Sequence, residues 1–293
     1  MKTICCFKVS LTLVLLVLFS GSFAQEKPAP KIFHLETRDG NGYTGLVLSS
    51  DSVSVHFKAE KLGEITVLRT EVLSLEPLED KQLKDGKYWF PNPQSTRYFF
   101  SPNGYGLKKG EGYYQNIWVL MNSVAIGLTD HVSVGAGMIP LFLFAGAPTP
   151  VWVTAKVSIP VVKDKFNLGA GLLAGTAVGE PDTGFGIFYG LATIGSKDRN
   201  VTLGGGYGFA VDSENGSPMF NLSGMIRIGP RGYLVTENYL FVSEFSSTLV
   251  LSFGGRTIIK GAGLDYGLIV PAISDAGMIL IPWLGITIPI GRK

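Results

Sequence analysis

Between Val132 and Met138 the chain alternates strictly, with Val132, Val134, Ala136 and Met138 on one side and Ser133, Gly135 and Gly137 on the other. Successive side chains of a strand point to opposite faces, so this stretch is a strand with one apolar face and one small or polar face. An apolar-rich run, Tyr113 to Leu128, and a polar corner, Thr129-Asp130-His131, precede it. Together they predict a β-hairpin. The alternation returns downstream: Val151, Val153, Ala155, Val157 and Ile159 oppose Thr154, Lys156 and Ser158, and Leu264, Tyr266 and Leu268 oppose Gly263, Asp265 and Gly267. Units of this kind repeated to the C-terminus predict an all-β fold, an antiparallel transmembrane β-barrel.

The expected wall strands are Thr96–Gly106, Tyr113–Leu128, His131–Phe144, Pro150–Pro160, Lys165–Val178, Thr183–Gly195, Asn200–Val211, Pro218–Ile228, Arg231–Val242, Ser246–Thr257, Ile259–Val270 and Gly277–Ile290, about twelve in all. Tyr113–Leu128 is apolar on both faces, and Arg231–Val242 sets Glu237 beside Asn238, so a count of ten stays open. Connections alternate between tight polar corners (Asp130-His131, Val162–Asp164, Ser196–Arg199, Pro230-Arg231) and longer segments (Lys108–Gly112, Ala145–Thr149, Gly179–Asp182, Asp212–Ser217, Pro271–Ala276). Outer-membrane barrels have short periplasmic turns and longer outside loops. Lys108–Gly112 is accordingly expected outside.

The N-terminal part has a different texture. Met1 to Ala24 has a basic start, an apolar stretch and a small-residue end, the anatomy of a secretory signal peptide. Residues 25–78 hold short charged strands at Ile32–Thr37, Tyr43–Ser49, Val53–Phe57 and Glu64–Leu68, closed by Val72, Leu73 and Leu75, and suit a small SH3-like or Sm-like β-domain in the periplasm. Residues 79–95 read as a linker, and residues 96–293 as the outer-membrane β-barrel.

Composition narrows the picture. Both cysteines, Cys5 and Cys6, lie in the leader, so the mature chain has no thiol for a disulfide, catalysis or a metal. Loss of Lys2 and Lys8 takes lysine plus arginine from 25 to 23, equal to the 23 acidic residues. A neutral chain has no basic footprint for nucleic acid. Past the leader no run of about 18 apolar residues offers a membrane helix, and the 38 glycines fall within alternating strands.

The segment Ser95 to Asn116 (STRYFFSPNGYGLKKGEGYYQN), with Leu128-Thr129-Asp130 and Leu234-Val235-Thr236-Glu237-Asn238, resembles a family of outer-membrane β-barrel proteins from Bacteroidota. Asp39-Gly40 and Gly63-Glu64-Ile65-Thr66-Val67 are similar to its small N-terminal periplasmic β-domain. The resemblance spans nearly the whole mature chain. It implies the fold and an outer-membrane location, and it carries no catalytic or ligand residues. Many such barrels end on an aromatic residue read by the barrel assembly machinery; this chain ends Ile290-Gly291-Arg292-Lys293.

Candidate chemistry is sparse. Lys156, Arg227, Glu237, Arg256 and Asp265 are charged residues that the strand register turns inward. Ionisable groups at membrane depth are costly facing lipid, so these five either line a lumen that selects a polar solute or form ion pairs that brace it. His131 and Ser133 share a strand face, as in some outer-membrane lipid hydrolases, but such a site needs the lipid leaflet and this corner is expected at the periplasmic rim, so a polar corner with an ordinary lumen serine is the preferred reading. The Gly-x-Gly pairs lack the following helix of a phosphate site, so no cofactor is expected. Trp118, Trp152, Trp283, Tyr113, Tyr114, Tyr233 and Tyr239 suit interfacial girdles, with packing an equal reading for Trp152. Asp51-Ser52-Val53 resembles an O-glycosylation acceptor in these bacteria and is equally a turn.

The leading expectation is a non-enzymatic outer-membrane pore for small solutes. The alternative is a sealed anchor whose N-terminal domain binds a periplasmic protein or envelope polymer, and third comes a lipid-modifying hydrolase. A barrel of this size has limited interior, so side chains or the N-terminal segment could block it.

Overall fold

The computed structural model describes residues 31–78, 83–84, 87–211, 216–242, 247–273 and 277–291. The leader reading over Met1–Ala24 lies outside them. The chain divides into two compact units, residues 1–80 and 81–293.

The first unit is a five-stranded antiparallel sheet of β1 (Phe33–Thr37), β2 (Gly42–Ser50), β3 (Ser54–Ala59), β4 (Gly63–Leu68) and β5 (Val72–Pro77), in the order β4-β3-β2-β1-β5. The residues expected to close the unit form this fifth strand, which pairs with the first. Alternation in β3 sends Val55, Phe57 and Ala59 inward and His56 and Lys58 out. The inward set packs with Leu35 and Val67 into a buried cluster edged by Phe33, Tyr43, Val47, Ile65, Val72 and Leu75. Asp51 accepts the backbone N–H of Val53 (2.8 Å) and Ser54 (2.7 Å), which makes Asp51-Ser52-Val53 a strand-joining turn. These bonds favour the carboxylate and hold its pKa below the usual value.

In the second unit β6 (Leu83–Lys84) pairs with β7 (Lys87–Tyr88). The wall follows: β8 (Glu111–Ile117), β9 (Met121–Gly127), β10 (Val132–Met138), a short helix α1 (Pro140–Phe144), β11 (Thr149–Val162), β12 (Phe166–Val178), β13 (Gly184–Ser196), β14 (Arg199–Ala210), β15 (Ser217–Arg227), β16 (Gly232–Val242), β17 (Ser247–Ile259), β18 (Ala262–Ile273), a two-residue β19 (Gly277–Met278) and β20 (Ile281–Gly291). Each wall strand pairs antiparallel with its neighbour. β18 pairs with β20 and β20 with β8, so among the described residues twelve strands close on themselves.

The count of twelve agrees with the sequence reading through two errors of opposite sign. Tyr113–Leu128 is not one strand but two, β8 and β9, joined by a tight turn at Trp118, Val119 and Leu120. Trp118 and Val119 have φ of 53° and 65°, a left-handed pair that matches the twist of a hairpin without the glycine that usually announces it. Thr96–Gly106 is no wall strand. Its only bridge is the local pair Arg97–Pro102, and Tyr98, Phe99 and Tyr105 are buried. In consequence Lys108–Gly112 sits at the opposite end from the one expected. Gly110 donates to Gly127 O (2.9 Å) and Lys109 N–H to Asp130 (3.0 Å), at the same end as the Asp130-His131 corner.

That end carries the β9–β10, β11–β12, β13–β14, β15–β16 and β17–β18 connections, of two to four residues. The other end carries connections of three to ten residues, including α1. The outward face is apolar around the wall: Val153 on β11, Leu168 on β12, Phe188 on β13, Leu203 on β14, Leu222 on β15, Leu234 on β16 and Phe253 on β17 are all exposed. Their neighbours in sequence face in.

Phe57 is fully buried at the centre of the first unit. Phe57→Ala should cost about 3–5 kcal/mol. Hydrogen exchange on the whole mature chain should then show lost amide protection across β1–β5 with the β8–β20 wall unchanged. Retained protection would show that the cluster does not hold the sheet.

Candidate functional site

Residues 89–107 run inside the barrel, entering at the short-connection end and returning there before β8. Arg227, on β15, receives the chain. Its Nη2 donates to Phe90 O (2.6 Å) and Pro230 O (2.7 Å), its Nη1 pairs with Asp198 (3.1 Å), and its guanidinium lies 4.8 Å from the Trp89 ring.

One step further in, Arg256 on β17 and Asp265 on β18 face each other across adjacent strands. They form a two-point ion pair at 2.6 and 2.9 Å, and both are fully buried. The pair is extended rather than isolated. Arg256 Nη1 donates to Asn92 Oδ1 (3.2 Å) and Gln94 O (2.7 Å), and Nη2 donates to Gln94 Oε1 (3.0 Å) and Tyr98 O (2.6 Å). A guanidinium presents its donors in a planar fork; here that fork joins two wall strands to the inner segment.

The segment then folds into a hairpin. Tyr98 N–H donates to Ser101 O (2.9 Å) and Asn103 N–H to Thr96 O (3.0 Å). A loop inside a barrel must find partners for every buried backbone group, and the wall supplies them. Lys156 on β11 donates to the carbonyls of Asn103 (2.9 Å), Tyr105 (2.6 Å) and, more weakly, Thr96 (3.4 Å). Glu237 on β16 does the reverse. Its Oε2 accepts the consecutive N–H groups of Phe99 (2.9 Å), Phe100 (3.0 Å) and Ser101 (3.0 Å), while Tyr239 donates to Oε1 (2.8 Å). Tyr98 OH donates to Asn200 (2.6 Å) and lies 2.7 Å from Thr202 Oγ1. Gly104 passes so close to β12 that an added Cβ would lie 2.6 Å from Asn167 O.

All five charged residues expected to face inward are buried inside the wall, and each engages residues 89–107 or a neighbouring wall strand. Sequence reasoning missed the residues that complete the network: Gln94, Arg97, Gln115, Thr193, Asn200 and Thr202. A signal was present. Tyr98-Phe99-Phe100 is a consecutive aromatic run that does not alternate, and the turn residues Pro102-Asn103-Gly104 follow at once.

Beyond the hairpin tip the lumen opens into a cavity of about 360 Å³ that reaches the long-loop end. Its floor is Arg97, Phe99, Phe100 and Ser101, and its wall is largely apolar, with Met121, Trp152, Ile187, Met219, Phe241 and Trp283. The aromatic girdle is therefore corrected in part. Tyr113, Tyr233 and Trp283 are buried inward rather than ringing the exterior, Tyr239 bonds Glu237 inside the wall, and Trp152 is buried in keeping with its packing reading. His131 is exposed, and its Nδ1 lies 3.1 Å from Ser158 O; no bond joins it to Ser133 among the described residues. Among the described residues no His, Cys, Asp and Glu cluster could hold a metal ion.

The fold and its interior define a class: a closed twelve-stranded antiparallel β-barrel, apolar outside, with part of its own chain folded into one half of the lumen. The structure is similar to a solved KdgM porin, at 7% sequence identity and a TM-score of 0.46, over 62% of this chain and 99% of that chain. No family model matches the sequence, and no curated protein matches it.

Removing one partner of a buried ion pair strands a charge, at a cost of about 3–5 kcal/mol. Asp265→Asn and Arg256→Met should each lower the barrel's urea midpoint accordingly, read by the electrophoretic shift between folded and unfolded barrel. The double replacement should cost less than the two single changes added together. Strict additivity would mean that the pair does not act as a unit.

Proposed function

We propose that the chain is an exported outer-membrane β-barrel of the channel class whose lumen is closed at one half by its own inner hairpin. The observation that carries this reading is the inversion of the wall: most exposed outward positions from β11 to β17 are apolar, with Thr176 and Thr236 among the exceptions, while Lys156, Glu237, Arg256 and Asp265 are buried toward the hairpin. In water such a surface would be a contiguous apolar patch far larger than soluble proteins carry. Facing lipid it is satisfied, and a closed barrel leaves no open strand edge.

The short connections lie on the periplasmic side by the usual rule for these barrels. Residues 89–107 enter from that side, so the N-terminal unit is periplasmic in this reading, and the likeness to the Bacteroidota outer-membrane family accords with it. Passage of a solute then requires the hairpin to move. The hairpin is held by hydrogen bonds to fixed wall residues, which can be exchanged for water, and by the buried aromatic rings of Tyr98, Phe99 and Tyr105. The five inward charges act as the latch. A solute-selecting lining is secondary, because in this state each of them is already engaged. No step of the reading involves catalysis.

The density of that network favours a second reading, a permanently sealed anchor whose periplasmic unit binds a protein or an envelope polymer. Planar-bilayer recording of the refolded mature chain separates the two. Under the gated reading the unaltered chain shows rare, brief openings. Glu237→Ala, which releases the hairpin tip, and deletion of residues 97–102 should raise open probability at least about tenfold, since a bond to a charged group contributes roughly 1.5–3 kcal/mol. If the deletion variant inserts and stays silent, the lumen is not a conduit and the anchor reading stands. Frequent conductance in the unaltered chain, unchanged by either variant, would mean that the hairpin is not the barrier.

A further inference from the structure

The cavity beyond the hairpin tip shares Lys156, Glu237 and Tyr239 with the latch, and the rest of its lining has a chemistry of its own. Trp152, Leu173, Ile187, Met219, Tyr239 and Phe241 face it. A cavity of about 360 Å³ with apolar walls and a few convergent polar groups is the usual form of a small-ligand site. A wall of this kind suits an acyl chain better than a hydrated solute.

Of its polar lining, Lys156, Asn221 and Glu237 are already bonded to the hairpin or the wall, and Arg97 lies at the floor. Arg97 contributes Nη1 to Gln115 Oε1 (3.0 Å) and lies 5.3 Å from the Tyr113 ring, and among the described residues it has no carboxylate at ion-pair distance. The other lumen arginines, Arg227 and Arg256, each have an aspartate. Trp283, buried in the same wall, has an indole N–H without an acceptor among the described residues. A cation at the floor and a free donor in the wall of an apolar chamber are complementary to an anionic head group.

The rim indicates where such a ligand comes from. β8, β9 and β10 have seven residues each, against eleven to fourteen for β11–β18 and β20. The connections above this short stretch of wall expose Val119, Leu120, Leu141, Leu143 and Phe144. Apolar side chains at a loop end are placed to meet hydrocarbon, not water.

We propose that this cavity binds a single-chain amphiphile with an anionic head group, taken from the surrounding lipid, with the head at Arg97 and the chain along the apolar wall. The proposal rests on the barrel's placement in a membrane. The inner hairpin is then the floor of a binding site as well as a barrier.

The test uses the mature chain refolded into phosphatidylcholine vesicles. The probe is 12-bromododecanoate, whose bromine quenches tryptophan on contact, with 12-bromododecyltrimethylammonium as the control of opposite charge. Saturable quenching is expected, and replacing Trp152 and Trp283 together by phenylalanine should abolish it. The carboxylate should bind at least about tenfold more tightly than the ammonium. Arg97→Met should weaken carboxylate binding about tenfold, the loss expected for one charge-assisted contact, and Arg97→Lys should restore part of it. Leu173→Phe with Ile187→Phe fills the chamber without touching the hairpin and should block binding outright. Non-saturable quenching, equal affinity for the two head groups, or binding indifferent to both Arg97→Met and the filled chamber would each overturn the site. Flotation of the protein with the vesicles is recorded first. A protein that floats without binding loses the site alone, whereas one that does not float loses the membrane reading and the site with it.

Discussion

The buried pair of Arg256 and Asp265 is the interaction on which the interior of this molecule depends. Two charges fully removed from water are tolerated only when their remaining hydrogen-bonding capacity is filled, and here the filling comes from Asn92, Gln94 and Tyr98 of the inner segment. The dependence is mutual. Without the segment the guanidinium would face an empty lumen, and without the guanidinium the carbonyls of Gln94 and Tyr98 would lose their donor. Neither the wall nor the inner chain is satisfied alone.

The same rule extends along the hairpin with the sign adjusted to what each backbone stretch offers. Where the chain turns carbonyls outward, Lys156 meets them; where it turns three successive N–H groups outward, Glu237 meets those. Opposite charges are therefore distributed according to the polarity of the backbone they serve. Arg256 pairs with Asp265 and Arg227 with Asp198, while Lys156 and Glu237 each neutralise a local backbone dipole. A wall built this way recognises one particular inner segment, and the conformational cost of ordering that segment is offset by bonds that would otherwise go to water.

Outside, the logic is simpler, because hydrocarbon asks only for apolar surface. Period-two alternation was therefore legible directly: β11 to β18 fall within a few residues of their expected limits, and the tight corners at Asp130, Asp164, Asp198 and Arg231 fall where the polar residues interrupt the pattern. The expected strand His131–Phe144 stops at Met138, and Pro140–Phe144 forms the helix α1 instead; in two further places the pattern misled for one physical reason. Alternation reports that a residue is in an extended chain with two different sides, not that its partners are wall strands. Thr96–Gly106 has buried and half-buried positions because it lies inside the barrel, and Tyr113–Leu128 reads as one strand because its two strands are joined by Trp118-Val119-Leu120, an apolar turn without glycine or proline.

The sequence by itself determined the all-β class, the apolar exterior, the small N-terminal sheet and the inward direction of Lys156, Arg227, Glu237, Arg256 and Asp265, since each follows from side-chain direction on a strand and from the cost of charge against an apolar surface. Only the tertiary structure decided what those charges face. Residues 92–105 and their wall partners are separated by between 16 and 193 positions along the chain, and no local pattern specifies which of several polar segments will fill a lumen. Closure of the wall fixes that volume. Arg97 and the unpartnered Trp283 come to share one chamber only because β20 returns to pair with β8 and brings the two ends of the barrel sequence together.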